Sequence, residues 1–162
     1  MTEETIVPIA SRGEFLAGLR SAFALARDAG AREIVIVDPS FIDWPLNQPA
    51  VVDSLAGWID SGRSLTAFAH SFDELARRHP RFVEWRRQWA HVVHCRTDPE
   101  IEAEQVPTLL LAPGMTCVRL LDRVRHRGTV STRQVDLNEG REAVDALLQR
   151  SVEAFPATTL GL

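Results

Sequence analysis

Apolar positions along the chain recur at two different periods. Phe15, Leu16, Leu19, Phe23 and Ala26 fall at three- and four-residue steps, the spacing of one helical face. Ser11-Arg12-Gly13-Glu14 stands just before them with the spacing of a capping box, and Gly30 follows as a left-handed terminator. The pattern then changes. Ile34-Val35-Ile36-Val37 is a continuous β-branched run bounded by Arg32 and Asp38-Pro39, which predicts a central strand covered on both faces.

The same reading continues to the end of the chain. Phe41 to Gln48 is a loop, after which Asn47 and Pro49 open a helix burying Val51, Val52, Leu55, Trp58 and Ile59, closed by Gly62. Ser64 to His70 reads as a second strand. Ser71-Phe72-Asp73-Glu74 repeats the capping-box spacing, and Pro80 forces a kink or a fresh helix start near His79. Phe82, Trp85 and Trp89 then share one stripe, with Arg81, Arg86 and Arg87 assigned to the solvated side. His91 to Arg96 is the third strand, and Asp98 to Gln105 an acidic loop. Thr108 to Ala112 and Met115 to Val124 form a hairpin around Pro113-Gly114, a pair suited to a type II turn. Thr129 to Val135 is a last strand, and Asn138 caps a final helix carrying Ala143, Val144, Leu147, Leu148 and Phe155, stopped by Pro156. This order predicts an α/β fold: a mixed, mostly parallel sheet with helices on both faces.

Composition narrows the chemistry. The 162 residues suit one domain spanning 1–162, with its core at about 12–155. All 18 basic residues are Arg, and Tyr is absent. Schiff bases, a pyridoxal phosphate anchor, a P-loop lysine and tyrosine nucleophiles are therefore excluded, and no cofactor is implied. Cys95 and Cys117 sit in apolar stretches and nothing resembles a signal peptide, so the expected compartment is the cytoplasm, with no membrane partner. Charge is uneven. Residues 63–96 carry 7 Arg against 3 acids, 97–117 carry none against 4, and 118–133 carry 5 against 1. A net charge of −4 argues against nucleic acid as a partner, while leaving local basic patches open.

The element order resembles one half of the phospholipase D superfamily over residues 12 to 155. That resemblance rests on the strand Ile34 to Val37, the helix and strand ending near His70, the further helix and strand, and the later hairpin with its closing helix. The family signature is His, any residue, Lys, four residues, Asp. The matching stretch here is Val106 to Pro113, with Val106 for the histidine, Thr108 for the lysine and Pro113 for the aspartate. The resemblance thus implies a degenerate half domain without phosphodiesterase chemistry. Because family members build their site from two halves, it also implies a homodimer.

Three functional readings follow. The first is a non-catalytic binding or protein-interaction module. The second is a small hydrolase: Asp38, Ser40 and Asp43 follow the first predicted strand, His70 and Ser71 end the second, and Asp38, Ser40 and His70 have the residue types of a nucleophilic relay. Turn and cap chemistry accounts for the same residues. The third is a regulatory module binding a small phosphorylated or otherwise anionic ligand through Arg119, Arg123, Arg125 and Arg127, which flank His126. Pairing with acids such as Asp98 to Glu104 is the alternative use of those arginines. No metal site is expected, since His91 and His94 on a strand point to opposite faces.

Overall fold

The computed structural model describes residues 3–156. Its eight strands form one sheet in the order β1-β7-β6-β5-β2-β3-β4-β8. The α/β class stands as expected, but the prediction of a mostly parallel sheet is corrected. Only β2 (Glu33–Val37) with β3 (Ser64–Phe68), and β3 with β4 (Val93–Thr97), pair in parallel. The other five pairings are antiparallel. The physical reason is connectivity. Helical crossovers join β2 to β4, whereas β5 (Thr108–Ala112), β6 (Thr116–Asp122) and β7 (Arg127–Ser131) are joined by tight turns that can only reverse the chain.

Alternation along the central strands divides the core into two layers. Ile34, Ile36 and Leu110 face one cluster, completed by Phe15, Leu19 and Phe23 of α1 (Arg12–Ala29), Leu55 and Trp58 of α2 (Pro49–Trp58), and Leu75 of α3 (Asp73–Arg78). Phe82 and Trp85 of α4 (Pro80–Gln88) join it. Val35, Val37, Leu109 and Leu111 face the other, covered by Leu137 and Val144 of α5 (Gln134–Gln149). A strand apolar on both faces is the signature read from Ile34 to Val37.

The helix signals were accurate at α1. Ser11 Oγ accepts from the Glu14 amide at 3.1 Å, the Glu14 carboxylate accepts from the Ala10 amide at 3.0 Å, and Gly30 ends the helix at φ 71°. Gly114 has φ 77° and the Met115 amide donates to the Ala112 carbonyl at 2.9 Å, as the predicted turn requires. Pro80 does start a fresh helix. Asn47, however, caps that helix rather than α2: its side-chain oxygen accepts from the Arg81 amide at 2.9 Å, 34 positions away.

Several boundaries differ: the last predicted strand, Thr129 to Val135, is β7 ending at Ser131, with Gln134 and Val135 already in α5, and α2 ends at Trp58. His91 and Val92 lie in a turn before β4. Strand β3 stops at Phe68 and leaves His70 in the loop beyond it. Helix α5 begins a full turn before Asn138, because Ser131 Oγ accepts from the Arg133 amide at 3.0 Å and Asp136 braces Arg133 at 2.8 Å. Phe155 follows the short strand β8 (Val152–Glu153) and stacks on Phe72 at 5.6 Å. Strand β1 (Ile6–Ile9), paired antiparallel with β7, was not anticipated.

Candidate functional site

The carboxyl ends of β2, β3 and β4 and the amino end of the antiparallel β5 open at the same edge of the sheet. Asp38, just past β2, is buried there. One of its carboxylate oxygens accepts from the Ser40 amide at 3.0 Å and the Phe41 amide at 2.7 Å. The other accepts from the Thr108 hydroxyl at 2.5 Å. Both oxygens are therefore committed to backbone and β5. Phe41, held by this turn, has φ 59°, a left-handed conformation costing a bulky residue about 1–3 kcal/mol. Its carbonyl accepts from His79 Nε2 at 2.8 Å. Burial holds His79 below its ordinary pKa, which keeps the ring neutral for that contact.

The remaining relay candidates have separate partners. Ser40 Oγ accepts from the Ile42 amide at 3.3 Å, and His70 Nδ1 contacts the Ile101 carbonyl at 3.1 Å. Ser71 Oγ accepts from the Asp73 amide at 3.3 Å, and Asp43 lies 3.9 Å from Arg12. Among the described residues no hydrogen bond joins the side chains of Asp38, Ser40 and His70. The structure places them at one edge without assembling them.

The stretch from Val106 to Pro113, compared above with a family signature, is packed at its start. Val106 is fully buried, and Thr108 is 1% exposed with its hydroxyl turned to Asp38. Arg123 covers this end of β5, donating to the carbonyls of Val106 and Glu104.

The basic segment divides by role. Arg123 is structural, as just described, and the exposed Arg125 pairs with Asp122 at 3.1 Å. Hydrogen bonds from Arg125 hold the Asp122 carboxyl below its usual range. The side chains of Arg119 and Arg127 make no hydrogen bond or salt bridge among the described residues, although both residues pair through their backbones in the sheet. Strand alternation sets both on the face of the sheet covered farther along by α5. Arg119 lies between two clefts. One, of about 220 Å³, also takes in Cys117, Ser131, Arg133 and the carboxylates of Asp136 and Glu139; the other, of about 550 Å³, takes in Val106, Pro107 and Arg123. Leu121 and Val124 project beside them, 76% and 92% exposed. Gly128 fixes this arrangement, since a Cβ there would meet the Arg119 carbonyl oxygen at 1.9 Å.

One assignment from the helical stripe fails. Trp85 is buried as expected, but Arg86 is also buried, 5% exposed, and not on the solvated side. It turns toward Cys95 and under Phe155, two elements whose proximity to α4 depends on β4 and β8 closing the sheet edge. Nothing in the local sequence signals that burial.

No protein-family model and no curated protein sequence matches the chain. Solved structures do. One is TrmBL2, an archaeal chromatin protein with a novel mode of DNA binding: TM-score 0.62 at 6% identity, over 92% of this chain and 53% of that one. The chain thus spans about half the length of TrmBL2. Another is NucT from Helicobacter pylori, at TM-score 0.56 and 10% identity, over 94% of this chain and all of that one. At these identities the likeness is one of fold. It nevertheless corrects the expectation that argued against nucleic acid as a partner, because a DNA-binding protein contains this architecture. Net charge was the wrong criterion; a patch of a few arginines acts locally, within about a Debye length of 8–10 Å. No helix among the described residues is long and apolar enough to cross a membrane.

Proposed function

We propose that the chain is a non-catalytic, degenerate phospholipase D-like module that binds nucleic acid through Arg119 and Arg127. The observation that carries the non-catalytic part is the bond between Thr108 and Asp38 beside a fully buried Val106. The position where the family places its nucleophile and phosphate-holding lysine is here a packed joint between β2 and β5. Nucleic acid is supported by the DNA-binding neighbour, by Arg119 at the border of both clefts, and by the exposed Arg127 on the adjoining strand, neither side chain being tied up in a salt bridge among the described residues. Guanidinium forks suit phosphate oxygens bidentately. The resemblance to a half domain makes a homodimer the assembly to look for, by light scattering.

The test has two arms. Purified chain should release no nitrophenol from bis(p-nitrophenyl) phosphate, and it should raise the anisotropy of a labelled DNA duplex at low salt. Replacing both Arg119 and Arg127 by Ala should abolish the anisotropy change. Turnover that persists in the purified chain overturns the non-catalytic reading, and unaltered binding by the double variant overturns the assigned surface.

A further inference from the structure

The strongest unassigned feature lies at the opposite edge of the sheet from the basic hairpin. Here β8 pairs with β4 only at Arg96 and Thr97, and the chain then crosses toward α4. Between them is a cleft of about 450 Å³ bordered by Arg86, His94, Cys95, Glu153 and the apolar groups of Ala90, Val93, Ala154 and Pro156. Arg86 is more than nine-tenths buried, and its Nε has no hydrogen-bond partner. Phe155 covers the face of the guanidinium at 5.0 Å, which leaves its in-plane N–H groups as the interacting edge.

A buried guanidinium normally has a carboxylate opposite it, because desolvating a lone cation is costly. Arg86 has none among the described residues. Glu153 sits on the exposed rim of the cleft and makes no ion pair with it. The neighbouring Cys95 thiol is pushed by burial up to about 11, so at neutral pH it adds no negative charge.

We propose that this cleft is a binding site for a small organic oxyanion. The guanidinium edge of Arg86 receives the carboxylate or phosphate head, and the aliphatic part lies against Val93, Ala90 and Ala154. The shared requirement is an oxyanion head on a short apolar body. This site is separate from the Arg119 surface and does not depend on it.

The two cysteines provide an internal control in the unaltered chain. Cys95 borders this cleft, whereas Cys117 borders the cleft beside Arg119. Iodoacetamide labelling of each is followed by mass spectrometry with butyrate, inorganic phosphate or chloride at equal ionic strength. Labelling at Cys95 should slow about tenfold when a probe is present at about nine times its Kd, with Cys117 unchanged. Butyrate acting alone identifies a carboxylate site, and phosphate acting alone a phosphate site. Arg86→Met should abolish the protection, and Arg86→Lys, which keeps the charge and loses the fork, should weaken it at least tenfold; the Lys variant and the unaltered chain decide if the Met variant does not fold. The proposal is overturned if neither probe protects Cys95, if both cysteines are protected equally, or if Arg86→Lys binds like the original. Protection confined to Cys117 would also overturn it, while supporting phosphate binding at Arg119.

Discussion

The Thr108 hydroxyl donates to the Asp38 carboxylate at 2.5 Å, joining β5 to the end of β2 across 70 positions of sequence. Both groups are buried, so neither can exchange the contact for water. Thr108→Val keeps the shape and removes the donor. It should cost about 1–3 kcal/mol in urea denaturation, the range for leaving a buried acceptor short of a partner. A change of a few tenths would mean that the Ser40 and Phe41 amides alone satisfy Asp38.

The arginines of the hairpin should separate into two groups. Arg123→Ala removes the bonds to the Val106 and Glu104 carbonyls and should lower stability by about 1–3 kcal/mol. Arg119→Ala and Arg127→Ala should leave stability within about 0.5 kcal/mol. In DNA binding each should reduce the slope of log K against log salt by about 1. Equal destabilisation by all three would assign the whole segment to structure.

His79 provides a pH-dependent contribution whose sign follows from its burial. Its folded pKa lies below the ordinary 6.5, so as pH falls through that value the unfolded chain takes up a proton that the folded chain refuses. Stability from this residue should therefore be fully present above about pH 7 and decline as the medium is acidified below 6.5. His79→Gln retains a donor for the Phe41 carbonyl and should flatten that part of the profile. Parallel profiles for the two proteins would dismiss His79 as the source.

Trp85 is 5% exposed and packs on Phe82 at 5.6 Å. Its replacement by Ala should cost about 3–5 kcal/mol, read from the shift in the denaturation midpoint. A shift near zero would place the aromatic stripe on an exposed, ligand-stacking surface.

How far the sequence could be read depended on the range of the interactions involved. Capping at Ser11, the turn at Gly114 and the break at Pro80 are decided within a few residues, and each was legible. Strand β1 was not, because Ile6-Val7-Pro8-Ile9 is short and contains a proline, acceptable only on a strand that pairs on one side. The balance of parallel and antiparallel pairings was misjudged for a related reason: crossovers dominate the first half, hairpins the second, and both halves meet where β2 pairs with β5. For the site, the difference of Val106, Thr108 and Pro113 from the signature of the family that the element order resembles was visible residue by residue. The partnership of Thr108 with Asp38 and the burial of Arg86 were not, since each is created by elements far apart along the chain.

The place of β1 at the sheet margin governs how the molecule comes apart. Residues 6–9 meet residues 128–131, so their pairing closes a loop of about three quarters of the chain and has only one neighbouring strand to reward it. That margin should be the last to zip and the first to fray, exchanging amide hydrogens well before β2 and β3 and laying bare the outer rim of β7 while the centre is still intact.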